Sequence, residues 1–131
     1  MTYVPYATGT LFIPSGPGLH LFVLVTDRCL QGSHLLVSFS SVPDAGRHDA
    51  TCLVDVGEHD FVKRPSFMVY RLSHVDRADR LSHLVGQRYY RAGQIVSEEL
   101  LARIREGIGA SPFTPQRIVS YFNQVMRQSS R

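Results

Sequence analysis

His20 stands two residues after a Pro/Gly turn and directly before an apolar run, so the residues packed behind it must hold a titratable ring in place. An imidazole changes charge near neutral pH and can serve as general acid or base with little tuning; it can equally be an ordinary strand-start histidine. His59 lies between Glu58 and Asp60, where flanking carboxylates would favour its charged form and make it a second proton-transfer group. The alternative is a turn histidine bonded to backbone. Lys63 and Arg64 follow at once and Arg71 comes soon after, cations that could neutralise a phosphodiester or form a solvated rim. Ser40 and Ser41 offer paired hydroxyls to a phosphate or a base edge. Tyr70 could stack a base or pack the core. Arg88, Tyr89, Tyr90 and Arg91 interleave aromatics with guanidinium groups, which suits unpaired bases, or else turn a helix-to-strand corner.

Other chemistries are poorly supplied. His48 with Cys52, or His59 with Asp60, lacks the close paired spacing of a zinc site, so no metal is expected. Gly16-Pro17-Gly18 is followed by neither a helix nor a lysine, so there is no phosphate-binding glycine loop, and no cofactor is expected. Cys29 and Cys52 have no C-x-x-C spacing and read as buried free thiols.

The elements that must position these groups fit in one domain, residues 1–131, long enough to close a single core. Hydrophobic content of 44% with 19% charged residues excludes a disordered chain, and no apolar run is long enough to span a membrane. The opening residues lack the basic and apolar regions of a signal peptide, which points to the cytoplasm. Net charge is +3 and the pI about 9.1, with Lys63 the single lysine, so the basic character is carried by arginine, whose planar fork suits phosphate and base stacking.

The run at 18–27 reads as a buried strand, with Leu19, Leu21, Val23 and Val25 on one face and His20, Phe22 and Leu24 on the other. Further strands are expected at 9–13, 35–42, 51–56 and 66–75, with a short one near 89–96. The Pro/Gly loop at 14–18 is expected to interrupt the ladder. Strands so spaced, without crossover helices, predict a small barrel over about 9–96. Helices are expected at about 76–86, capped by Asp76; at 97–108, capped by Ser97; and at 115–127, capped by Thr114 with Pro115 at its first position. Residues 128–131 are expected to fray.

Laid out in this way, the chain resembles the PemK/MazF family of toxins from type II toxin-antitoxin systems over about residues 9–108. Members open with a Gly, a strand, a Gly/Pro-rich loop and a Gly-x-Arg-Pro-x-Val-Val-Val strand. Here Gly9-Thr10-Leu11-Phe12-Ile13 and Gly18-Leu19-His20-Leu21-Phe22-Val23-Leu24-Val25 take those places. Ser40-Ser41 match the Thr/Ser pair that ends the next strand, Ser73-His74-Val75-Asp76 the end of the long strand, and Gly93-Gln94-Ile95-Val96-Ser97-Glu98-Glu99-Leu100 the closing segment. The family arginine after the first loop falls on His20, its proline on Leu21, and its acidic residue near Tyr70, with Arg71 beside it.

The resemblance implies an SH3-like β-barrel with C-terminal helices, mainly β with α. It also implies a homodimer, inhibited by a cognate antitoxin, that cleaves single-stranded RNA without a metal. In that reading His20 and His59 handle protons, Arg71 and Lys63 steady the phosphate, and Ser40 and Ser41 orient the RNA. Arg64, Tyr70, Arg88, Tyr89 and Arg91 add RNA contacts. The alternative is a non-catalytic relative that binds RNA or a protein partner on the same surface. The helix at 115–127 lies beyond the resemblance and could contact a second copy or a regulator.

Overall fold

A computed structural model describes residues 2–129 of the chain. In order they form β1 (Thr10–Ser15), β2 (Gly18–Leu24), β3 (Ser33–Ser41), β4 (Leu53–Val54), β5 (Ser66–Arg77), α1 (Ala78–Gly86), β6 (Arg91–Gly93), α2 (Glu98–Ala110) and α3 (Gln116–Ser129). Every strand pairing is antiparallel, in the order β4-β5-β3-β2-β1-β6. The result is a mixed α and β fold around a curled half-barrel. Its edge strands β4 and β6 are not paired with each other, so the expected closure is incomplete at the level of backbone. Among the described residues no helix is long and apolar enough to cross a membrane.

From Leu21 onward β2 is buried on both faces, as its alternation predicts, while Gly18, Leu19 and His20 at its start are exposed. Leu21, Val23 and Val25 join the larger core cluster with Leu35, Val37, Met68 and Tyr70, which α2 and α3 cover through Leu100, Leu101, Ile104, Ile108 and Ile118. Phe22 and Leu24 point the other way, into a smaller cluster with Leu11, Ile13, Leu36, Leu81 and Tyr90, covered by α1. A strand with apolar side chains on both sides is held in register from both, because a one-residue slip would exchange its two faces. Cys29 and Cys52 are buried free thiols.

Several boundaries differ from the expected ones. β1 runs on through Pro14 to Ser15, and only Gly16 and Pro17 remain as a two-residue turn, with Gly16 at φ +58°. Pro14 is tolerated because β6 pairs only with Thr10, Leu11 and Phe12, so the missing N–H faces no neighbour. The expected strand at 51–56 shrinks to Leu53 and Val54, since Asp49 takes the Thr51 N–H and Glu58 takes the Asp55 N–H away from any ladder. Asp76 does not cap α1: β5 continues to Arg77 opposite Ser33, and the Ala78 N–H is satisfied by the Gly32 carbonyl. Ser97 does cap α2, its hydroxyl accepting from the Leu100 N–H at 3.0 Å. Thr114 precedes α3, but its buried hydroxyl makes no hydrogen bond among the described residues, so it is no side-chain cap. α3 persists through Gln128 and Ser129; Ser130 and Arg131 of the expected fraying tail lie outside the described residues.

β5 carries the main irregularity. Leu36 pairs with His74 but Ser38 pairs with Val69, so β5 passes three more residues than β3 over that stretch. A bulge of this kind bends the strand and re-aims its side chains. Arg71 and Leu72 are turned out to solvent there, while Tyr70 stays fully buried.

Fully buried His34 and half-buried His74 are expected to make the fold pH-sensitive. His34 is fully buried, its Nδ1–H donating to the Thr26 carbonyl at 2.9 Å while Nε2 has no partner among the described residues. His74 packs edge-on against Phe22. Burial lowers the pKa of both below the ordinary 6.5, because the charged ring would lose its hydration. Below pH 6.5 the unfolded chain therefore binds protons that the folded chain refuses, and stability falls with falling pH. The urea midpoint is expected to be lower at pH 5 than at pH 7.5, and the decline to be shallower in His34→Gln. A midpoint that is level over that window would overturn this account.

Candidate functional site

The ends of β2, β3 and the β4–β5 loop meet in a depression of about 360 Å³. Around it stand Leu19 and His20 from the start of β2, Ser40 and Ser41 from the end of β3, and Phe61, Lys63 and Arg64 from the loop. Antiparallel order explains the meeting, since β2 starts at the same end of the sheet where β3 finishes and β5 begins.

His20 is exposed and its ring makes no hydrogen bond among the described residues, so both ring nitrogens are available to a ligand. Lys63 is exposed and has no ion-pair partner among the described residues. Among the described residues Arg64 has only Asp44 as an ionic partner, at 3.7 Å, a pair exposed on both sides and too weak to sequester the guanidinium. Ser66 also lines the pocket and fixes its wall, its hydroxyl donating to the Arg64 carbonyl at 2.9 Å. The floor is apolar, from Phe39, Val62 and Leu21. The arrangement offers one free imidazole, two cations and two hydroxyls above a hydrophobic base.

His59 is not among them. It is buried, its Nδ1 accepts from the Phe61 N–H at 3.0 Å, and its Nε2–H donates to the Gln94 carbonyl at 2.7 Å. Both nitrogens are thus spent on backbone, which is the turn-histidine alternative. Nor do the flanking carboxylates hold its ring: Glu58 is bound by Arg103 and the Asp55 N–H, and the Arg103 hydrogen bond keeps its carboxyl below the usual range. Gln94 directly follows β6 and His59 follows β4, so this side chain bridges the two unpaired edges of the sheet. It also shapes the turn that carries Phe61, Lys63 and Arg64, because the Val62 N–H bonds to its carbonyl. His59 is a positioning residue.

The remaining expected residues lie elsewhere. Tyr70 is core: its hydroxyl donates to the Ile104 carbonyl at 2.9 Å, and burial drives its pKa far above the ordinary tyrosine value. Arg71 borders a different depression, on the outer face of β5. Arg88, with φ +61°, ends α1 by donating its N–H to the Val85 carbonyl, which is the helix-to-strand corner. Tyr89 is exposed and stacks on Tyr90 at 5.5 Å. Neither Arg88 nor Tyr89 lines the pocket. Arg91 lies 4.7 Å over the Phe12 ring, and Phe12 packs edge-on against Phe61 at 5.2 Å, so an aromatic and cationic track leads away from the pocket rim. Phe61 had no signal in the sequence beyond standing two residues before the single lysine.

Among the described residues no group of three or more His, Cys, Asp or Glu side chains could hold a metal ion. No protein-family model matches the chain, and no curated protein matches it.

Proposed function

We propose that this pocket binds single-stranded RNA and cleaves it without a metal, and that the half-barrel is an SH3-like barrel of the PemK/MazF kind. One observation carries the reading: His20, Ser40, Ser41, Lys63 and Arg64, drawn from three separate stretches of chain, face one cavity. In the proposed reaction His20 takes the proton of a 2′-hydroxyl, the 2′-oxygen attacks the adjacent phosphorus, and the bond to the 5′-oxygen breaks. Lys63 and Arg64 stabilise the charge that builds on the phosphoryl oxygens, and the 5′-oxygen leaves with a proton from Lys63 or solvent. A 2′,3′-cyclic phosphate and a 5′-hydroxyl result. Ser40 and Ser41 orient the strand, and Phe61 offers a ring for a base. His59 and Arg71 have no direct part. A cognate antitoxin and a second copy of the chain are the partners this reading brings with it.

The replacement of the family arginine by His20 favours one other reading, a module that holds RNA and does not cut it. Incubation with mixed-sequence single-stranded RNA in EDTA separates the two. Fragments ending in cyclic phosphate are expected; intact RNA that still binds would establish the non-cleaving module.

A further inference from the structure

The outer face of β5 carries a second depression, of about 460 Å³, that the proposed chemistry leaves unused. Phe67 and Val69 form its apolar base, the His48 ring lies 5.3 Å from that of Phe67, and Phe113 stands at its rim, 55% exposed. Arg47 and Arg71 are exposed beside it and neither has a carboxylate partner among the described residues. The one acid present, Asp49, is committed: its carboxylate accepts from the Thr51 N–H, the Thr51 hydroxyl and the Ser111 hydroxyl, and so ties the loop after β3 to the end of α2. Flat rings on one side and two unsatisfied guanidinium groups on the other suit a planar aromatic anion, since bases stack on phenyl and imidazole rings while arginine forks grip phosphate.

The two depressions adjoin. Phe67 of the second is the direct cross-strand partner of Ser40 in the first, and Ser66 is the partner of Ser41. Directly opposed residues in an antiparallel pair have Cβ atoms about 5 Å apart, so Ser40 and Phe67 place the two depressions within reach of one strand of RNA.

We infer that the second depression holds the nucleotide next to the scissile phosphate, its base against Phe67, His48 and Phe113 and its phosphate on Arg47 and Arg71. This rests on the RNA-cleavage reading for its ligand, but the test reads binding, so a protein that proves unable to cut still answers it. A labelled 2′-O-methyl RNA hexamer, which lacks the attacking hydroxyl, is titrated against the unaltered protein, Arg71→Gln and Phe113→Ala. Each variant is expected to bind about tenfold more weakly, the loss typical of one stacked base or one phosphate contact. Both positions are exposed, and unchanged melting temperatures would show that the fold is intact. Uridine or adenosine 5′-monophosphate is expected to bind far more weakly than the hexamer and to lose affinity in the same two variants. Hexamer affinities within twofold of the unaltered protein in both variants would overturn the proposal. So would a monophosphate that binds as tightly as the hexamer, which would make the depression a site for free nucleotide.

Discussion

Replacing His20 with alanine is expected to slow metal-free cleavage of single-stranded RNA by about 100-fold or more, the usual loss when a positioned general base is removed. The same change is expected to leave the melting temperature where it was. The His20 ring is exposed and has no hydrogen-bond partner among the described residues, so its removal opens no cavity and orphans no buried partner. That separation gives the result its meaning, because a loss of rate without a loss of stability cannot be assigned to unfolding. The strand behind the ring stays in place: Leu21, Val23 and Val25 are fully buried on one side, and Leu24 on the other. The comparison is made at one salt concentration, since phosphate contacts from Lys63 and Arg64 weaken as salt rises and would blur a rate measured below saturation. Asparagine at position 20 retains a polar group but cannot shuttle a proton, and it is expected to be as impaired as alanine. A loss smaller than threefold in either variant would remove His20 from the mechanism.

How much of this was readable from the sequence depends on how local each determinant is. The two faces of β2 follow from period-two alternation; from Leu21 to Leu24 both are buried, whereas Leu19 and His20 are exposed. The start of α2 follows from Ser97, a cap whose partner lies three residues away. His20, Ser40, Ser41, Lys63 and Arg64 could be singled out by residue type, but their convergence depends on strand order. The failures are non-local. Arg71 seemed a neighbour of Lys63 along the chain, yet the β5 bulge, visible only in its pairing with β3, aims it to the other depression. His59 read as an acid–base group because its chain neighbours are acidic, whereas its ring answers to Gln94, 35 residues on. Asp76 sat where a cap belongs, but the continuing ladder to Ser33 kept it in the strand. Register between β3 and β5, which composition does not encode, decides Arg71 and Asp76, and a contact between segments distant in sequence decides His59.

The same contrast between local preference and tertiary packing makes Gly107 the glycine at which an added Cβ meets its neighbours most closely. Helix propensity alone favours alanine over glycine in the interior of α2 by at most about 1 kcal/mol. A Cβ at Gly107 would overlap the Tyr70 hydroxyl oxygen outright and lie 2.5 Å from Cζ of the same ring. Tyr70 cannot step aside easily, being fully buried with its hydroxyl bonded to the Ile104 carbonyl. Overpacking a tight core costs about 1–3 kcal/mol, and losing that buried hydrogen bond about 1–3 more. Gly107→Ala is therefore expected to destabilise the fold by about 3 kcal/mol, on the order of a 10 °C drop in melting temperature for a domain of this size. Gly109 lies two residues on, exposed, with nothing within 4 Å of an added Cβ, so Gly109→Ala is expected to be neutral or stabilising. Adding Tyr70→Phe to Gly107→Ala removes the overlapping oxygen and is expected to recover part of the loss, although Tyr70→Phe alone destabilises. If Gly107→Ala unfolds within about 0.5 kcal/mol of the unaltered protein, the seating of α2 against β5 is not as described.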